Sequence, residues 1–332
     1  MGTADRESEA LFFIGEIAGW DRKQREGQTE SKMDRYEFEI LSMLARERPK
    51  QYSQRELSCA ICISASAVAD SLQNLERKSL IRRDGPYAEI NERGIEALEP
   101  HRVKRAVILA AGFGSRMMPA TKDRPKPMVR VHGKRIIDTL LDALIAAGVT
   151  DITVVGGYRF DKLTELREKY PDLHLIENTE YSSSNNISSA VLASGCLHGG
   201  CYLCEADLLI ENPNIISPYQ YTSNILGSWS LETDDWCFQM KDGLASDYKK
   251  GGRSCYTYYG VSFWTDEDCA KLREDFASVY YESTGGKDCF WEFVPLVLKK
   301  DRYAVEIRPC SKSDILEIDS YQELKELDPA YP

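Results

Sequence analysis

The residues best placed to do chemistry lie between Leu109 and Val129, which read LAAGFGSRMMPATKDRPKPMV. An apolar run that ends in Ala111, Gly112, Phe113, Gly114 and Ser115 can bring its backbone close to a ligand. Glycine has no Cβ and tolerates positive φ, and the N–H groups of such a turn can cradle phosphate oxygens. Arg116 follows within the turn and Lys126 comes ten residues later in RPKP, so two cations can converge on one polyphosphate. The string is not a P-loop, which needs GxxxxGK[ST]. Nor is it the dinucleotide fingerprint GxGxxG, because Met117 stands where the third glycine belongs.

The elements that must position these residues follow from periodicity. RAVILAAG is a buried-strand run before the glycine turn. After it come an amphipathic helix near 135–148, the strand DITVVGG, a helix near 160–169 and the strand LHLIEN. Strands alternating with helices at this spacing predict a mostly parallel, Rossmann-like α/β sheet flanked by helices over residues 101–332.

A different pattern precedes it. Apolar residues Phe38, Ile40, Leu41 and Leu44 recur at helical spacing before Pro49, Ser53 can cap a second helix, and Ser64 or Ser66 a third. An apolar pair, a DGP turn and a short returning strand then close the segment. Residues 33–100 thus resemble the winged-helix domains of MarR-type regulators, whose third helix reads DNA. With ten basic against twelve acidic side chains in residues 34–100, the basic signature of a nucleic-acid binder is missing. Residues 1–32 are read as a disordered tail and Met33 as a candidate start.

The whole 109–129 string, with Thr121, Pro125 and Lys126 in place, resembles the signature of nucleotidyltransferases that join an NTP to a phosphorylated small molecule. VVGGY, ENTEYSSSNNISSA, CEADLL, GVSFW, FWE and LEIDSYQEL follow in the order of bacterial CTP:phosphocholine cytidylyltransferases of the LicC type. The resemblance spans about 104–328 and leaves out the winged helix. It implies that a phosphate oxygen of the acceptor attacks the α-phosphorus of CTP and pyrophosphate leaves.

Such an acceptor needs no protein base, because a phosphate monoester loses its second proton near pH 6. His132, in a VHGK turn, is then structural. The resemblance implies Arg116 and Lys126 as the charge-stabilising pair, Asp207 and Asp319 as ligands of Mg²⁺ with Glu205 a lesser candidate, and Tyr158, Asn185 and Asn186 beside the nucleotide. It further implies Trp236, Phe290, Trp291 and Glu292 around an ammonium headgroup, since cations favour aromatic faces with nearby negative charge. Phosphocholine is the first acceptor; 2-aminoethylphosphonate or another phosphorylated small molecule is the alternative. A reading of another class is a transcriptional regulator whose transferase-like domain only senses a metabolite.

Composition bounds these readings. The 332 residues carry a net charge of −11, which excludes a broad attraction to phosphate backbones or anionic membranes. No apolar run is long enough to span a bilayer, and the early run LFFIGEIAGW, broken by Glu16 and preceded by an acidic stretch, does not read as a signal peptide. Ten cysteines without a secreted framework suit reduced thiols and a cytoplasmic location, and Cys59/Cys62 with Cys201/Cys204 make a poor shared zinc site.

Overall fold

A computed structural model describes residues 33–332; the expected tail, residues 1–32, lies outside the described residues. The chain divides into two compact units, one comprising residues up to Arg102 with Pro218–Tyr221, the other Val103–Ser217 with Thr222–Pro332.

The first unit opens with α1 (Arg35–Arg46), started by a capping box in which Asp34 and Glu37 satisfy each other's backbone N–H groups. Strand β1 (Tyr52–Ser53) leads into α2 (Gln54–Ile61), which Ser53 caps, and Ser64 caps α3 (Ala65–Arg77). The hairpin β2 (Ile81–Asp84) and β3 (Tyr87–Ile90) joins β1 in a three-stranded antiparallel sheet of order β1-β3-β2, and α4 (Glu92–Leu98) follows. Phe38, Ile40, Leu41, Leu57, Leu72 and Leu75 form the core, which is why the apolar spacing of the three helices was readable.

The second unit is built on β4 (Arg105–Ala110), whose last five residues are buried. A small hairpin, β5 (Arg130–Val131) and β6 (Lys134–Arg135), precedes the largely buried α5 (Ile136–Ala146). Then come β7 (Asp151–Gly156), a single-turn α6 (Phe160–Leu163) that continues as a 3-10 segment to Glu168, and β8 (His174–Glu177). Helix α7 (Ile187–Leu192) leads to β9 (Cys201–Glu205). Strands β9, β4, β7 and β8 pair in parallel, as the strand–helix alternation predicts.

Beyond β9 the sheet departs from that pattern. CYLCEADLLI is not one strand: after β9 the chain breaks at Ala206–Asp207, and β10 (Leu208–Ile210) leaves the main sheet. Two long strands, β11 (Asn224–Lys241) and β12 (Leu244–Trp264), form an antiparallel ribbon whose base docks antiparallel on β9 through β12. Helix α8 (Asp266–Glu282) follows, β13 (Glu306–Pro309) inserts beside β11, and β14 (Ile315–Glu317) pairs with β10 before α9 (Tyr321–Leu327). The seven-stranded sheet therefore runs β11-β13-β12-β9-β4-β7-β8. No helix among the described residues is long and apolar enough to cross a membrane.

Candidate active site

A cleft of about 540 Å³ opens at the carboxyl ends of the parallel strands, where open α/β sheets hold their ligands. Its floor is the turn after β4. Gly114 adopts φ 59°, and a Cβ there would stand 2.9 Å from the Cβ of Lys126, so this position requires glycine for both conformation and space. Thr121 closes the loop by donating its hydroxyl to the Gly114 carbonyl at 2.9 Å. Ala111, Gly112, Ser115 and Arg116 line the same floor.

Asp207 and Asp319 are brought together by the pairing of β10 with β14. Leu208 lies opposite Glu317, so the residue before one and the residue two after the other meet at the same end. Lys126 sits between them, its Nζ 2.9 Å from Asp207 and 3.0 Å from Asp319. Arg116 reaches Asp319 from the solvent side at 3.0 Å. Burial, the largest influence on the Lys126 ammonium, pulls its pKa down, but the Asp207 and Asp319 charges outweigh it and hold it above the ordinary lysine range. Burial likewise lifts the Asp319 carboxyl, and Lys126 followed by Arg116 overcomes this and holds it below the usual carboxylate range.

Asp207, Glu317 and Asp319 can each offer one oxygen within 4.8 Å of the others, the set among the described residues that could hold a metal ion. One Asp207 oxygen is buried with no hydrogen-bond partner. Hard oxygen donors with an orphaned carboxylate atom fit a magnesium ion, which takes few protein ligands. Burial, Asp207 and Asp319 push Glu317 up to about 8.

At the far end of the cleft the ribbon supplies an aromatic wall. Trp236 stacks on Tyr248 at 5.3 Å and meets Phe293 edge-on at 5.2 Å, with Phe290 at 6.1 Å. Asp235, Trp236, Phe290 and Glu292 all line the cleft. Glu292 is only 3% exposed, and burial pushes its carboxyl up to about 7.

Three expectations change. Trp291 is fully buried between Trp264 and Phe276, its indole N–H donating to Glu205 at 3.3 Å; it is core rather than cleft wall. Tyr158 does not line the cleft: its hydroxyl donates to the carbonyls of Thr121 and Lys122, and its ring props Phe113 at 5.5 Å. Asn185 is at the cleft, but its amide donates to the Asp288 carbonyl and its oxygen accepts from the Asn186 N–H, so the side chain is spent on holding the loop. The Asn186 side-chain oxygen accepts from the Trp291 backbone N–H at 2.8 Å.

Several lining residues escaped the sequence reading: Tyr181, Lys250, Tyr258 and Glu317. Lys250 lies directly opposite Trp236 in the ribbon. The Asp242-Gly243 pair, a strong mark of a tight hairpin, could have found the ribbon, but the bulges along it keep this particular partner out of reach of counting.

Comparison with known proteins places this geometry. The nucleotidyl transferase family model matches residues 105–198. A 2-aminoethylphosphonate cytidylyltransferase of Lancefieldella rimae is 38% identical over 231 residues, 68% of this chain and 92% of that protein. A choline-phosphate cytidylyltransferase of Streptococcus pneumoniae is 30% identical over 233 residues, 68% of this chain and 96% of that one. The solved CTP:phosphocholine cytidylyltransferase (LicC) of the same species superposes with a TM-score of 0.63 at 27% identity, covering 70% of this chain and all of its own. The glycine turn, its two cations and the likeness across nearly the whole length of these relatives lead to one statement: the chain belongs to the nucleotidyl transferase family and is a cytidylyltransferase.

Proposed function

We propose that the chain transfers CMP from CTP to an aminoalkyl phosphonate or phosphate, with 2-aminoethylphosphonate ahead of phosphocholine. The observation that carries this reading is the 38% identity to a 2-aminoethylphosphonate cytidylyltransferase over 92% of its length. It reverses the order in which the sequence ranked the two acceptors. The aromatic and acidic end of the cleft suits an ammonium group of either kind.

In this reading an acceptor oxygen, already ionised near neutral pH, forms a bond to the α-phosphorus of CTP. The bond from that phosphorus to the bridging oxygen breaks, and its electron pair leaves with pyrophosphate. The backbone from Ala111 to Ser115 cradles the triphosphate while Arg116 and Lys126 face the charge that builds in the transition state. Lys250, opposite Trp236, meets the acceptor's phosphonate. Asp207 and Asp319, with Glu317 beside them, would hold Mg²⁺, which supplies further neutralisation of the triphosphate. Asn186 borders the base.

The test is pyrophosphate release from CTP and Mg²⁺ with 2-aminoethylphosphonate, phosphoethanolamine, phosphocholine and a sugar 1-phosphate. The expected result is the highest kcat/KM for 2-aminoethylphosphonate. A preference for phosphocholine, or no release with any aminoalkyl acceptor, overturns the reading.

For the first unit we propose a winged-helix module used for regulation or partner contact rather than DNA reading. The three helices that precede its antiparallel hairpin support the architecture, and the shortage of basic side chains disfavours DNA. Ten unpaired cysteines support a reducing, cytoplasmic setting.

A further inference from the structure

Buried side-chain polar atoms almost always find a hydrogen-bond partner, so those that do not call for an explanation. Among the described residues five such atoms lack one, on Arg105, Asp207, Tyr248, Tyr258 and Glu292. Four of these five residues belong to the cleft or to the ring stacked behind its aromatic wall. Asp207, Tyr258 and Glu292 line the cleft, while Tyr248 stacks on Trp236 and meets the Tyr258 ring at 5.5 Å. Asp207 has its own explanation in the metal set. The two phenol oxygens and the free Glu292 oxygen remain, and they stand at the acceptor end.

The chemistry of these three atoms narrows what can satisfy them. An ionised carboxylate only accepts, and a phenol oxygen accepts as readily as it donates. A phosphate or a carboxylate set against these three oxygens would face the Glu292 and Asp235 carboxylates, so Lys250 is left to meet the anionic end of the acceptor. A trimethylammonium group brings the right charge but has no N–H, so it would leave these oxygens buried against methyl groups with only one another to pair with. A primary ammonium brings the same charge with three donors. The face of Trp236 attracts both cations and cannot tell them apart. A site built to pair with a substrate N–H rejects the analogue that lacks it, because the protein's own polar atoms are then stranded.

We propose that Tyr258, together with Glu292 and with Tyr248 behind it, reads the N–H donors of the acceptor's ammonium and so selects a primary amine over a quaternary one. The inference rests on the aminoalkyl reading given above and adds the residues that set its selectivity. Trp236 supplies the attraction common to both cations, and the three oxygens supply the discrimination.

The experiment compares kcat/KM for two matched pairs, 2-aminoethylphosphonate against its N,N,N-trimethyl analogue and phosphoethanolamine against phosphocholine, using the full chain with CTP and Mg²⁺. Tyr258→Phe removes one oxygen and keeps the ring. The primary-to-quaternary ratio should fall about 10- to 100-fold in this variant, with the loss concentrated on the primary amine. Tyr248→Phe should move the ratio in the same direction by less. Glu292→Gln, followed by thermal melting to show that it folds, should lower the ratio as well. A ratio that stays where it was in all three variants, or a loss shared equally by both members of each pair, overturns the inference while leaving the aminoalkyl reading standing. No pyrophosphate release with any of the four acceptors by the unaltered chain overturns that reading itself and the inference with it.

Discussion

Lys126 and Arg116 touch the same carboxylate from two environments, and this separates their contributions. The Lys126 side chain is 10% exposed and bridges two aspartates, whereas Arg116 is 71% exposed and meets Asp319 alone. An exposed ion pair contributes about 0–1 kcal/mol to stability. Arg116→Ala should therefore lower kcat on the order of 100-fold while moving the melting temperature by no more than about 2–4 °C. Lys126→Ala should lower kcat at least as far, and it should also lose stability, because Asp207 and Asp319 are left half-buried without their partner. Pyrophosphate release and thermal melting measured together check both.

Glu292 makes a second claim at this scale. Burial raises its carboxyl to about 7, so it is mostly neutral below that pH and mostly ionised above it. Only the ionised form attracts an ammonium. Acceptor kcat/KM should accordingly rise between about pH 6 and 8 with a component centred near 7, and Glu292→Gln should remove that component. The profile is measured with phosphoethanolamine, because the second ionisation of a phosphate ester lies lower, near 6, and persists in the variant.

Among the elements, the turn after β4 shows how much a backbone conformation can govern a side chain. Gly114→Ala forces a Cβ into a left-handed residue and against Lys126. The expected outcome is a kcat loss of 10-fold or more, with KM for CTP rising, and a destabilisation of about 1 kcal/mol or more from φ strain alone. Steady-state kinetics in CTP and a denaturant titration read the two effects. The elements also show where legibility ended. Caps and apolar spacing marked α1, α2 and α3, and the β4 run marked the strand that carries the glycine turn, because those signals are local. The Asp242-Gly243 turn is equally local, with both residues at positive φ, and it marks the ribbon once it is noticed. Counting outward from it sets Lys249 opposite Trp236, whereas bulges along the ribbon shift the partner to Lys250. A bulge has no sequence mark of its own, since it answers to the twist of the paired strand.

For the whole molecule, the parallel half of the sheet was legible in the alternation of strands and helices, and the antiparallel half was not. Residues 224–264 contain no intervening helix pattern, and their place beside β9 is decided by packing far along the chain. The same limit explains Trp291: its neighbours Trp264 and Phe276 are distant in sequence, so nothing local distinguished a core tryptophan from the cleft tryptophan Trp236. Net charge is a property of the same scale. At −11 the chain lacks the long-range attraction that brings proteins to duplex DNA. Micromolar full-length protein should leave the mobility of mixed-sequence duplex unchanged at about 50 mM salt; a salt-dependent shift would assign the first unit to DNA after all.

The ribbon has a consequence for how this catalyst could diversify. Asp235, Trp236, Tyr248, Lys250 and Tyr258 all ride on two strands joined by one tight turn, while Gly114, Arg116 and Lys126 ride on the segment after β4. In the proposed reading, most of the headgroup choice, Glu292 and Phe290 apart, and the grip on the triphosphate are written on separate stretches of chain. Randomising the five ribbon positions should yield descendants that accept new partners yet still spend CTP.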